Sequence, residues 1–160
     1  MITIKRLGSI GALSVTLVMA SCGSIDDGKD KMYGSSADIV KEGDSFSYIS
    51  RTGSTTARIA DREFKGFSGM ETIWTLDVEK KADLRIDYFL TVNKGEFKVM
   101  LVTSDDRAVT IVEGSGNGTT TVMLDKGRNR IKFVGARTAG KVEIHLQAGK
   151  AIKITATSDE

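Results

Sequence analysis

The chain of 160 residues contains no proline, against a usual share of about 5% in globular proteins. That absence excludes slow prolyl isomerisation as a folding step. It also removes one means of blunting sheet edges, which leaves charge, bulges and glycine for the task. Cysteine is nearly as scarce: Cys22 stands alone, so intramolecular disulfides and thiolate metal clusters are excluded. There is one histidine, His145, and any histidine-dependent catalysis has to use it. Long apolar runs are missing as well. Leu7 to Ala20 spans 14 residues diluted by glycine, serine and threonine, short of the roughly 20 that cross a bilayer as a helix.

The amino terminus does have an ordered layout. Lys5 and Arg6 precede the apolar run, and the small residues Ala20 and Ser21 lie directly before Cys22. This is the arrangement of a secretory signal peptide over residues 1–21. Met19-Ala20-Ser21-Cys22 also resembles the lipobox of bacterial lipoproteins. The resemblance implies lipidation of Cys22: a diacylglyceryl group on its sulfur, cleavage before it, and Cys22 as the new first residue. A thiol suits that chemistry because its thiolate is a strong nucleophile. Two acyl chains meet the requirement for stable membrane anchoring. The plainer alternative is an ordinary signal peptide with a chance cysteine, yet a free thiol is a liability in a secreted protein. The expected address is the bacterial cell membrane, with the chain lipid-anchored and facing outside the cytoplasm.

Removal of residues 1–21 leaves 139 residues, enough for one domain with its own core. It takes away Lys5 and Arg6, so that the 23 basic residues fall to 21 and equal the 21 acidic ones. The formal charge of +2 thus belongs to the leader, and the balance that remains carries no nucleic-acid footprint.

Residues 22–44 are polar, small and charged, as in Ile25-Asp26-Asp27-Gly28-Lys29-Asp30-Lys31, and are expected to form a flexible tether. From Ser45 to the end, short runs of β-branched and aromatic residues alternate with polar ones between glycines. Leu84, Ile86, Tyr88, Leu90 and Val92 give the clearest period of two, and Trp74, Leu76 and Val78 another. Turns are expected at Asn93-Lys94-Gly95, Asp125-Lys126-Gly127 and Gly135–Gly140. The spacing predicts an all-β fold over residues 45–160, an antiparallel β-sandwich of eight or nine strands. The tract from Gly66 to Leu146 resembles the sandwich domains of small lipoproteins of Firmicutes, and in outline the jelly-roll modules appended to secreted enzymes. What this implies is a jelly-roll-like fold at the cell surface.

Several constellations bear on chemistry. Gly135-Ala136-Arg137-Thr138-Ala139-Gly140-Lys141 matches seven places of a phosphate-binding loop, but Val142 stands where a hydroxyl must hold Mg²⁺. The strand alternation of Val142, Ile144 and Leu146 replaces the helix such a loop needs, so a hairpin turn is expected. Gly114–Gly118 lacks the spacing of a dinucleotide loop and reads as a flexible connection. His145 shares a strand face with Glu143 and Gln147, a possible acid–imidazole pair or simply a solvated face. Asp105-Asp106 and Asp26-Asp27-Asp30 offer oxygen ligands for Ca²⁺, but without EF-hand spacing, and Asp105-Asp106 fits turn chemistry. Phe89, Ile73, Met100 and Val102 fall opposite the main apolar set. They form either an exposed patch for sugar rings or a protein, or a second buried face, or the result of a bulge.

The expectation that follows is a lipid-anchored, non-catalytic binding or interaction module without cofactor or metal. Its partners would be the membrane, through Cys22, and a surface protein or glycan. A carbohydrate-binding jelly-roll module is the alternative, and a hydrolytic enzyme built on His145 ranks third.

Overall fold

The computed structural model describes residues 27–157, so the expected signal peptide and the proposed lipidation site Cys22 lie outside the described residues. Two four-residue helices, α1 (Asp27–Asp30) and α2 (Ser36–Ile39), flank a 3₁₀ turn at Lys31–Gly34. Eight strands follow: β1 (Ser45–Ser47), β2 (Ser50–Thr55), β3 (Ile59–Val78), β4 (Ala82–Val102), β5 (Ala108–Glu113), β6 (Gly116–Leu124), β7 (Gly127–Ala148) and β8 (Ile152–Ala156). All pairings are antiparallel. The expected all-β, antiparallel sandwich is therefore what the chain forms, but by an unexpected route.

β3, β4 and β7 are 20, 21 and 22 residues long, several times an ordinary strand. They lie side by side in the order β3-β7-β4 and fold over together. The first half of β3, the second half of β7 and the first half of β4 form a front layer, edged by β2 and β6. The remaining halves form a back layer, edged by β1, β8 and β5. The corner runs through register shifts at Phe64/Phe67, Phe67/Gly69, Val92/Lys94 and Lys94/Glu96. Bulges and glycines let a strand turn such a corner without breaking its ladder. Gly69, at φ +105, permits a backbone approach in which a Cβ would collide with the Ser45 carbonyl. A Cβ at Gly135 would stand 2.5 Å from a ring carbon of Phe67.

Two expected turns are therefore corrected. Asn93-Lys94-Gly95 and Gly135–Gly140 do not reverse the chain; both lie inside continuous strands at the corner. The residues are those of a turn, and the same conformational freedom serves a bend when neighbouring strands hold both sides of it. Inside the corner sit aromatic rings: Phe64 lies 5.2 Å from Phe97, Phe97 5.3 Å from Phe133, and Phe67 stacks on Tyr48 at 4.6 Å. Burial of Phe64, Phe67, Trp74, Leu84, Ile86, Val99, Ile131 and Ile144 continues the core from the corner to the open end.

The tether expected over residues 22–44 is corrected from Asp27 onward, and residues 22–26 lie outside the described residues. From Asp27 the chain packs as a strap on the outer face of the back layer. Ile39 is 1% exposed, and with Met32, Tyr33 and Val40 it covers Met70, Met100, Val102 and Val134. Ser35 caps α2 by accepting the Asp38 amide at 3.2 Å. The fully buried Lys132 donates to the carbonyls of Lys41 (2.9 Å) and Gly43 (3.2 Å), and Arg130 donates to that of Val40 at 2.8 Å. Burial lowers the Lys132 ammonium below the ordinary lysine range, against the opposing pull of Asp44. Asp44 in turn accepts from the Thr72 amide (2.9 Å) and hydroxyl (2.7 Å). Composition misses the strap because a handful of apolar side chains and several carbonyl contacts suffice when the receiving face is already built.

At the edge where the layers meet, Glu71 is 6% exposed and accepts hydrogen bonds from Arg51 (2.9 Å), Arg62 (3.0 Å) and the Tyr48 hydroxyl. Arg62, 2% exposed, belongs to the front half of β3 and Glu71 to the back half, so the pair clasps the two layers. Removing one partner of a buried pair costs far more than the pair itself contributes. Glu71→Ala should therefore lower unfolding stability by about 3 kcal/mol, read as an earlier urea midpoint. A loss below about 1 kcal/mol would show that the clasp does not hold the layers.

Candidate functional site

The outer face of the front layer stays open. Period-two alternation on β4 sends Leu84, Ile86 and Leu90 inward and Arg85, Asp87 and Phe89 outward. On β7, Val142, Ile144 and Leu146 point inward and Glu143, His145 and Gln147 outward. Register then joins the two sets. Asp87 stands opposite His145 and Phe89 opposite Glu143, while on the other side Asp87 faces Thr119 and Phe89 faces Asn117. Ile59 adjoins His145 from β3. Together Asp87, Tyr88, Phe89, Asn117, Glu143 and His145 line most of a shallow depression of about 460 Å³.

Phe89 presents a ring that is 49% exposed at the centre of this surface. His145 Nε2 lies 3.2 Å from Glu143 Oε1, with both side chains nearly half exposed. Asp87 is held from three sides: by the Thr119 hydroxyl at 2.5 Å, the Gln147 amide at 2.5 Å and Arg85 Nε at 3.4 Å. These contacts, the Thr119 hydrogen bond foremost, keep its carboxyl below the usual carboxylate range. The Thr119 hydroxyl is committed to Asp87 rather than to His145. The arrangement offers a flat ring, ionised carboxylates, an amide and an imidazole on a rigid sheet, and no hydroxyl aligned on the imidazole. It can bind and orient a hydroxyl-bearing ligand through planar polar groups around an apolar centre.

The other expected sites are distributed as follows. Ile73 is drawn into the main core by the shift between Thr72 and Trp74, and the strap covers Met100 and Val102; all three are at most 3% exposed. Of the apolar set, Phe89 alone lies open. Asp105 accepts the Thr103 hydroxyl at 2.6 Å and pairs with Arg107 at 2.7 Å, which is turn chemistry. Asp26 lies outside the described residues, and Asp30 pairs with Arg137 at 3.0 Å. No group of three potential metal ligands occurs among the described residues. Gly135–Lys141 lies within β7 and opens no helix, and within Gly114–Gly118 the last three residues already belong to β6. Asp87, Asn117 and Thr119 were the residues missed. Alternation places Asp87 on the face of Phe89, but only the register shows that His145 stands beside it.

No family model matches the chain, and no curated protein matches it. Among solved structures it is similar to a family 35 carbohydrate binding module from an environmental isolate, at 16% identity over 72% of this chain and 83% of that one, with a TM-score of 0.35. It is also similar to the enzymatically active domain of tailspike protein 4 of bacteriophage CBA120, at 11% identity over 81% of this chain and 21% of that one, with a TM-score of 0.32.

Thr119→Val should raise the Asp87 pKa towards its ordinary value of 3.8, read by NMR titration of the carboxyl carbon. A depressed carboxylate stabilises the fold above its unfolded pKa and loses that contribution as pH falls through the folded one. The stability gap between wild type and variant should therefore close as the pH drops below 3.8. An unmoved Asp87 titration would contradict the hydrogen bond as its cause.

Proposed function

We propose that this chain is a lipid-anchored extracytoplasmic lipoprotein whose sandwich acts as a non-catalytic binding module, with the face around Phe89 as its contact surface. The anchor reading rests on Met19-Ala20-Ser21-Cys22 following a charged and apolar leader. The binding reading rests on one observation: a half-exposed aromatic ring flanked by Asp87, Glu143, His145 and Asn117 on a sheet too rigid to collapse over it.

A glycan is the ligand class this chemistry suits best. The apolar face of a sugar ring stacks on Phe89, and its hydroxyls donate to carboxylates and accept from the Asn117 amide and the imidazole. The site is shallow and open, which suits a polymer chain lying across it rather than an enclosed small molecule. The module is non-catalytic in this reading because bond cleavage needs a nucleophile or acid–base pair positioned on the scissile bond within a cleft. Nearly half exposed, the Glu143–His145 pair stands in solvent.

Two measurements test this. Cys22→Ala should move the protein from the membrane fraction to the soluble one, and retention in the membrane would refute the anchor. On a polysaccharide array, Phe89→Ala should reduce binding about tenfold, the loss of roughly 1.4 kcal/mol of stacking. It should leave the melting temperature almost unchanged, because the side chain is solvent-facing. Equal binding by wild type and variant would remove Phe89 from the site.

A further inference from the structure

A second surface lies at the corner, away from the Phe89 face. Lys65, Lys94 and Arg137 surround a hollow of about 440 Å³ together with Gly66, Ser68 and the side chain of Ile49. No carboxylate lines it. Among the described residues neither Lys65 nor Lys94 takes part in an ion pair; Arg137 pairs with Asp30 yet keeps a side chain that is 78% exposed. Ile49 is 85% exposed, the most exposed large apolar residue described, and it stands over Gly66, where a Cβ would meet it at 2.5 Å. A fully exposed isoleucine ringed by cations has no counterpart elsewhere on the described surface.

The chain also arrives here. α1 lies against β3 and β7, and its last residue, Asp30, is the partner of Arg137. Five residue steps separate Cys22 from Asp27. At full extension they reach at most about 18 Å. The opposite end of the sandwich, where the turns carrying Lys80, Lys126 and Lys150 cluster, is ten to twelve strand residues further on, about 33–40 Å. That is several Debye lengths at physiological salt, so charges there do not feel a surface touched by the corner.

We propose that the corner is a membrane-docking surface: Lys65, Lys94 and Arg137 contact anionic phospholipid headgroups, and Ile49 inserts among them. The inference rests on the anchored reading above, because a short leash brings this end, and no other, to the bilayer. The two lysines free of ion pairs among the described residues favour the docked orientation at an anionic surface about thirtyfold, and Arg137 adds to this as headgroups compete with Asp30 for it. An apolar side chain at the centre of a basic ring adds interfacial partitioning to that attraction. Phe89 lies five residues from Lys94 along β4, about 16 Å, so the docked domain keeps its front face clear of headgroups.

The test is amine footprinting of the full lipidated chain in vesicles of phosphatidylcholine, with and without phosphatidylglycerol. With phosphatidylglycerol, the reactivity of Lys65 and Lys94 should fall by about a factor of five or more. That of Lys80, Lys126 and Lys150 should stay constant. The protection should disappear in roughly 1 M salt, where charges are screened beyond about 3 Å, and in an Ile49→Ser/Arg137→Glu variant. Equal reactivity in both vesicle types, or protection of the distal lysines instead, overturns the proposal. The mass of the amino-terminal peptide reports separately on acylation of Cys22. A chain found unacylated is coupled through the Cys22 thiol to a maleimide lipid, and the same comparison then decides the docking surface by itself.

Discussion

The corner in β3, β7 and β4 is the constraint on which the rest of the molecule depends. Three strands of 20 to 22 residues cannot remain flat and bury a face, so the sheet must fold back on itself. Each central strand has glycine at or near the line: Gly66 and Gly69, Gly95, and Gly135 and Gly140. Because the strands continue through the bend, both layers share one register. A slip in one half would turn the inward set of the other half outward. Phe64, Phe67, Phe97 and Phe133 fill the inside of the fold, and their mutual packing fixes its depth.

The buried charges follow from that geometry. Arg62 occupies an inward position, in phase with Ala60 and Phe64. Its charge is tolerable because the fold returns Glu71 to it from the other half of the same strand. Lys132 faces outward on the back layer and would be solvated if the strap were absent. The strap supplies carbonyls and Asp44 in place of water, so one buried ammonium organises a segment with little apolar content of its own. Buried polar groups of this kind must be satisfied, and satisfying them defines the path of the chain.

The Phe89 face and the basic corner also derive from the bend. The front layer keeps its outer face free because the strap covers only the back one. Asp87 and Phe89 lie more than fifty residues before Glu143 and His145 and become their neighbours because β4 and β7 pair in the front layer. At the corner the same three strands expose Lys65, Lys94 and Arg137 next to the amino-terminal segment. The open face around Phe89 on one side and a basic end beside the amino-terminal segment are thus set by one folding of one sheet.

The all-β class was legible from residues such as Leu84 to Val92, since period-two alternation reports directly on a half-buried strand. The outward positions of Phe89, Glu143 and His145 were legible for the same reason, and the likeness of Met19-Ala20-Ser21-Cys22 to a lipobox needs no fold to be seen. Alternation says which face a residue occupies, but not which strand lies beside it. Gly135–Gly140 has the composition of a turn whether the chain reverses or bends, and the choice belongs to the neighbouring strands. Lys132 carries no signal of its hydrogen bonds to the Lys41 and Gly43 carbonyls, because the contact joins segments some ninety residues apart. Local chemistry thus determined the class of fold, the faces and the address motif. Pairing of distant segments decided the corner, the strap and the two surfaces, because those depend on register, which is a property of the folded chain alone.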